Sequence, residues 1–198
     1  MCDECLEGTP LFAEPRCPTC SIPIAGPNCD CRELPADVDR LWVAGPYDGW
    51  LRDAIFDFKF KGETARAPSL AALLADASRS MGTDAWLAPV PLHKKRKRHR
   101  GYDQVALLAT ALGLQTGQTV CPALVKDRET PTQVGLSASE RSLNLIDAFS
   151  VRPGIELPDH VILIDDVTTT GSTLSESARA LRKGGVVSVT AVVIAHGL

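Results

Sequence analysis

The chain has 198 residues, 44% of them hydrophobic and 23% charged, with a formal net charge of −3. This suits a globular protein with one medium α/β domain and a small appendage, and it excludes a disordered or fibrous chain. No apolar run approaches the roughly 20 residues of a membrane span, and the acidic start Met-Cys-Asp-Glu-Cys lacks a hydrophobic signal segment, so a cytoplasmic location is expected.

Charge is unevenly spread. Residues 93–100 hold six of the 21 Lys and Arg, leaving 15 against 24 acids elsewhere, a balance of −9. An acidic body with one basic patch implies a localised anionic partner.

Six of the seven cysteines fall in the first 31 positions: Cys2, Cys5, Cys17, Cys20, Cys29 and Cys31. The pairs C-D-E-C and C-P-T-C each make a turn that can aim two thiolates at one metal, and a tighter C-D-C follows. Disulfides are disfavoured in a reducing compartment, so structural zinc is expected. Cys17 and Cys20 belong to both simple ligand sets. Their partners are either Cys2 and Cys5 or Cys29 and Cys31. The segment is short and rich in Pro and Gly, so it depends on metal to fold. An all-thiolate site leaves no open position for catalysis. Residues 1–36 are therefore read as a Cys-rich zinc-binding module and 37–198 as a second domain.

Arg40 to Tyr47 reads as a strand, ended by Gly45-Pro46. From Trp50 to Phe60, the apolar residues Leu51, Ala54, Ile55 and Phe58 are spaced for an amphipathic helix. Lys59 and Lys61 at its end read as a solvated helix terminus, ahead of a phosphate or nucleic-acid contact. Ala67 to Ser80 is helical, and Trp86 to Val90 reads as the first strand of a sheet.

Eight consecutive basic or imidazole side chains follow, His93 to Arg100, and then Gly101-Tyr102-Asp103-Gln104. Such a run repels itself and is expected to form a mobile loop where α/β proteins bind anions. Lys94, Lys95, Arg96, Lys97, Arg98 and Arg100 are candidates for pyrophosphate or nucleic-acid contact. They are more cations than one pyrophosphate needs.

Val105 to Leu114 reads as a helix and Val120 to Val125 as a strand holding Cys121 as a small core residue. Residues 128–149 show little strand pattern. Within them Arg141 either contacts pyrophosphate or pairs with Glu140 or Asp147. A short strand and turn follow over Ser150 to Leu157.

Val161 to Ile164 is an apolar run suited to a strand buried on both faces. At its end stand Asp165 and Asp166, with no local counter-charge in the sequence. Next come Thr168, Thr169, Thr170, Gly171, Ser172 and Thr173, then a helix carrying Leu174, Ala178 and Leu181, ended by Gly184-Gly185. A helix N-terminus preceded by glycine and hydroxyls is an anion cradle. Two upstream carboxylates can accept hydrogen bonds from vicinal hydroxyls. A phosphate and a diol one sugar apart describe a ribose 5-phosphate. Val186 to Ala195 forms the last strand.

The stretch from Val161 to Thr173 resembles the phosphoribosyl-pyrophosphate (PRPP) signature of type I phosphoribosyltransferases. That resemblance implies the fold of those enzymes, a parallel central sheet with flanking helices, here joined to a zinc-ribbon-like module. It also implies that Asp165 and Asp166 are catalytic residues on the ribose hydroxyls and that residues 168–173 wrap the 5′-phosphate, with Mg²⁺ bound alongside PRPP.

Val90 to Gln104 is similar to a segment of the ComF family, as are Gln133, Leu136, Arg141, Asn144 and Phe149. The chain has R-G-Y-D-Q where that family usually carries R-G-F-N-Q. The ComF resemblance implies a role in natural competence, with single-stranded DNA and a competence helicase as partners. Trp42, Tyr47, Trp50 and Tyr102 are the aromatics available to stack bases. Two readings follow: an enzyme that displaces pyrophosphate from PRPP, and a nucleic-acid-binding factor that keeps the PRPP pocket as a sensor.

Overall fold

The computed structural model describes residues 11–12, 14–24, 28–126 and 148–197. In chain order the described elements are β1 (Arg40–Pro46), α1 (Gly49–Phe60), a 3-10 turn (Thr64–Arg66), α2 (Ala67–Ser80), β2 (Trp86–Pro89), α3 (Lys94–Arg100), α4 (Gln104–Thr116), β3 (Leu124–Lys126), β4 (Phe149–Val151), β5 (His160–Thr168), α5 (Ser172–Lys183) and β6 (Ser188–His196). Four strands form one parallel sheet in the order β1-β6-β5-β2, and β3 and β4 pair antiparallel beside it.

Side chains of a strand alternate between its faces. In β5, Ile162 and Ile164 join a core with Leu51, Ile55 and Phe58 of α1, Leu70 and Leu74 of α2, and Leu108 and Leu112 of α4. Val161 and Leu163 join the opposite core with Leu174, Ala178 and Leu181 of α5. Both faces of the sheet are covered, the α/β architecture expected for this sequence. No helix among the described residues is long and apolar enough to cross a membrane.

Four details differ from the sequence expectation. β1 lies in the main sheet, so Trp86–Pro89 is its second strand in the chain and stands at the end of the sheet order. The basic run is a helix, α3. His93 accepts from the Lys95 N–H at its start, and Gly101, with φ 83°, ends it. Cations in the last turn also suit the helix dipole, which partly offsets their mutual repulsion. The expected strand at Val120–Val125 is split, because Pro122 has no N–H for a ladder. Val120 makes one parallel bridge to Leu87, and pairing resumes only at Leu124. Half-buried Cys121 sits at this break, against the α5-side core. Finally, β5 continues through Asp165 and Asp166 to Thr168.

The N-terminal segment lies along β1, the other end of the sheet. The Phe12 N–H donates to the Ala44 carbonyl at 2.9 Å, and the Leu41 N–H donates to the Thr19 carbonyl at 2.8 Å. Arg16 reaches the Val43 carbonyl at 3.0 Å. Edge groups that would otherwise stay unpaired are thereby covered.

Candidate functional site

The acid pair is buried, Asp165 9% and Asp166 3% exposed. Because both lie in a strand, they point to opposite faces of the sheet. On the α1 side, Asp166 Oδ1 lies 2.7 Å from the Lys59 ammonium, and its Oδ2 accepts from Gln104 Nε2 at 3.0 Å. Lys59 is therefore a partner of the acid pair rather than a solvated helix end. Asp165 Oδ1 accepts from the Asp166 N–H at 2.8 Å. Burial first, and the adjacent Asp166 carboxylate second, push the Asp165 carboxyl up to about 8. Such a carboxyl can donate a hydrogen bond as well as accept one. Gln104 is buried, and its Oε1 has no hydrogen-bond partner among the described residues. An acceptor thus stands unused beside the acids.

β5 hands the chain directly to the Thr/Gly loop. Thr168 is buried, Thr169 and Thr170 are exposed, and Ser172 and Thr173 are half-buried at the start of α5. The Thr170 and Ser172 hydroxyls lie 2.8 Å apart. Gly171 caps α5 with φ 69°, in the left-handed region. A Cβ at Gly171 would stand 2.8 Å from Pro35 Cγ. Glycine is required here twice, by its backbone angle and by the chain leaving the cysteine-rich segment. Two residues earlier, Glu33 Oε2 lies 3.3 Å from Nε2 of His196, which ends β6. Burial pulls the His196 imidazole below its ordinary range.

α3 follows β2, the neighbour of β5, so the basic helix stands beside the acid pair. Lys94, Lys95, Lys97 and Arg98 are exposed, whereas Arg96 and Arg100, four residues apart on one face, are half-buried. A cleft of about 330 Å³ runs between this helix and the small sheet, lined among others by Lys94, Lys97, Lys126 and Arg152. Burial, with the nearby Arg96 cation, pulls the Lys126 ammonium down to about 8, against the attraction of Asp165. Its ammonium lies 5.0 Å from the Phe149 ring centre. Asp103 is occupied as the cap of α4, accepting from the Ala106 N–H at 3.1 Å.

Cys17, Cys20, Cys29 and Cys31 place their four sulfurs within 4.8 Å of one another. Sγ of Cys17 lies 3.6 Å from that of Cys31, and Sγ of Cys20 lies 3.5 Å from that of Cys29. A tetrahedral zinc with bonds of about 2.3 Å needs sulfurs about 3.8 Å apart. The cluster could therefore hold a structural zinc ion. The Cys20 N–H helps hold the Cys17 thiol down to about 6, while burial pushes the Cys20 thiol up to about 12. Cys2 and Cys5 lie outside the described residues, as do Arg141, Gln133, Leu136 and Asn144.

The structure thus gathers Asp165, Asp166, the Thr/Gly loop and α3 at the C-terminal ends of adjacent parallel strands. The cysteine cluster lies with the N-terminal segment on the β1 side. Trp42, Tyr47 and Trp50 pack partly buried against the core, and Tyr102 spends its hydroxyl on the Phe58 carbonyl. All four are half-buried. Lys59, Lys126, Arg152 and Pro35 enter the site without having been singled out for it. Lys59 had a signal, since it lies four residues after buried Ile55 and so on the inner side of α1. Lys126 and Arg152 had none, because only the β3–β4 pairing brings them to α3.

No family model matches the chain. It is 34% identical over 190 residues to the DNA utilization protein YhgH of Salmonella typhimurium, covering 87% of this chain and 80% of that protein. It is 35% identical over 198 residues to competence protein F of Haemophilus influenzae, covering 94% and 86%. To competence protein ComFC of Streptococcus pneumoniae it is 25% identical over 194 residues, covering 96% and 84%.

Proposed function

The chain belongs to the ComF family, and on that premise we propose that it is a PRPP-binding, phosphoribosyltransferase-like protein that handles single-stranded DNA during DNA uptake. One observation carries the PRPP reading: a buried acid pair opens directly into a Thr/Gly loop at a helix N-terminus, beside a helix of six Lys and Arg. The DNA reading rests on that basic helix and on the printed names of the relatives, which are competence and DNA utilization proteins.

In this reading the ribose diol straddles β5 beyond the point where β2 stops pairing with it, so that Asp166 accepts from one hydroxyl on its face while Asp165, protonated near neutrality, exchanges hydrogen bonds with the other. The Gln104 Oε1 is a further acceptor beside Asp166. Residues 168–173 hold the 5′-phosphate through the N–H groups and dipole of α5. Lys94, Lys97, Lys126 and Arg152 face the pyrophosphate, and Arg141 is a further candidate for that contact. Mg²⁺ bound with PRPP would neutralise charge on the pyrophosphate oxygens. When an acceptor attacks the anomeric carbon, the C–O bond breaks and its electron pair leaves with pyrophosphate, a charge these cations stabilise. Zinc on Cys17, Cys20, Cys29 and Cys31 makes residues 1–36 a structural module that braces the β1 edge and the Gly171 loop. A competence helicase is the partner this role calls for.

Calorimetric titration with PRPP and Mg²⁺, beside anisotropy titration of a labelled 20-nucleotide single strand, tests both halves. The double change Asp165→Asn with Asp166→Asn should abolish PRPP binding and leave DNA binding intact. Replacing Lys94, Lys97 and Arg98 by Gln should weaken DNA binding and flatten its log–log salt slope by about 2. PRPP binding that survives the Asn pair overturns the pocket assignment. An unchanged salt slope overturns the role of α3.

A further inference from the structure

α1 turns Leu51, Ala54, Ile55 and Phe58 into the core and leaves Phe56 and Phe60 on its outer side, 45% and 61% exposed. Four residues apart on a helix, the two rings meet, with centroids 5.1 Å apart and planes tilted by 48°. Single exposed aromatics are common on protein surfaces. This pair is set between cations. The Arg100 guanidinium lies 4.9 Å from the Phe60 ring centre, and the Lys61 ammonium lies 5.8 Å from that of Phe56. Arg100 is the last residue of α3. The Tyr102 hydroxyl, donating to the Phe58 carbonyl, fixes the end of the basic helix against the end of α1. The aromatic pair and the basic helix are therefore one continuous surface. Nη1 of Arg100 has no hydrogen-bond partner among the described residues.

We propose that Phe56 and Phe60 form a base-stacking ledge for single-stranded DNA whose backbone runs along α3. A strand of unpaired bases needs flat apolar faces for the bases and cations at backbone spacing beside them, and it is sequence-tolerant because every base has a π-face. Phe56 and Phe60 supply the faces, Arg100 and Lys61 the flanking cations, and Lys94, Lys95, Lys97 and Arg98 continue the positive track. An apolar protein partner fits this surface less well, since it would bury the Arg100 guanidinium and the Lys61–Asp57 ion pair, 2.9 Å long, away from water. The ledge rests on the single-strand reading of α3 given above. It adds the element that reading lacked, a place for the bases.

The test uses the full chain as purified, with a fluorescein-labelled dT20 strand and an abasic strand of equal length, titrated by anisotropy from 50 to 300 mM salt. Phe60→Ala and Phe56→Ala should each weaken dT20 binding about tenfold while leaving the salt slope unchanged, because stacking neutralises no phosphate. Both variants should bind the abasic strand as the parent does. Phe60→Leu keeps an apolar side chain without a ring and should lose as much affinity as Phe60→Ala. Parent-like dT20 affinity in both alanine variants overturns the ledge, as does recovery by Leu, which would mean apolar contact rather than stacking. If the parent protein binds neither strand, the single-strand reading falls and the ledge with it. If it binds both strands equally, only the ledge falls.

Discussion

The Lys59 ammonium lies 2.7 Å from Asp166 Oδ1, joining the last turn of α1 to the end of β5. Both side chains are largely buried, 18% and 5% exposed. Breaking such a pair from one side leaves a buried charge uncompensated, at a cost of about 3 kcal/mol. Lys59→Met should therefore lower urea stability by roughly that amount, and adding Asp166→Asn should restore part of it. The interaction energy of the double-mutant cycle is the measurement. Additive single changes would mean that the pair is not coupled in solution.

Asp165 makes stability depend on pH in the opposite sense to a salt-bridged acid. Its ordinary value of 3.8 rises to about 8 in the folded protein. Between those values the folded state holds a proton that the unfolded state has released. Stability therefore falls as pH rises through this window, with a slope approaching about 1.4 kcal/mol per pH unit, and levels off above the folded value. Asp165→Asn removes that dependence. Its urea midpoint should gain on the parent steadily from pH 5 to pH 8, and parallel profiles would show that Asp165 is ionised in the fold.

These two acids also show how far the sequence could be read. Their place at the end of a buried strand, before a Thr/Gly loop, was legible because strand, acids, loop and helix are contiguous. Local hydrophobic periodicity likewise marked α1, α2, α4 and α5. What lies around the acids was not legible, since Lys59, Gln104 and Lys126 arrive from three separate elements 39 or more positions away. Charge density made residues 93–100 look like a loop. His93 and Gly101 supply caps at both ends, and these local hydrogen bonds outweigh the repulsion. Among the aromatics, the Trp and Tyr side chains named for stacking are half-buried, while Phe56 and Phe60 stand exposed.

Gly171 is where the N-terminal segment meets the anion loop. A methyl group there would meet Pro35 Cγ at 2.8 Å, and the φ of 69° is itself unfavourable for Ala. Gly171→Ala should lose about 2 kcal/mol by combining both effects. Pro35→Ala should recover only the steric part in the double variant. Full recovery in a urea titration would leave no contribution from the backbone angle. The parent and the Pro35→Ala variant should bind inorganic phosphate alike, since Pro35 meets Gly171 only as a steric wall.

The four described thiols form a set that could hold a tetrahedral zinc without Cys2 and Cys5. The Cys2→Ser, Cys5→Ser double variant should retain one zinc per chain by atomic emission. Cys20→Ser should retain none at this cluster, because Cys20 is the most deeply buried of the four described ligands, at 1% exposure, and no other described thiol can replace it. Losing the ion should reach beyond the cluster. Thr19 and Pro18 bind β1 through Leu41 and Arg40, and Pro35 backs Gly171. Chelation should therefore lower the melting temperature of the whole protein and raise hydrogen exchange at Leu41 before exchange at β5. Exchange confined to residues 11–36 would instead mark the cysteine segment as a unit that folds on its own. Loss of zinc in the Cys2, Cys5 variant would assign the ion to the other thiol set.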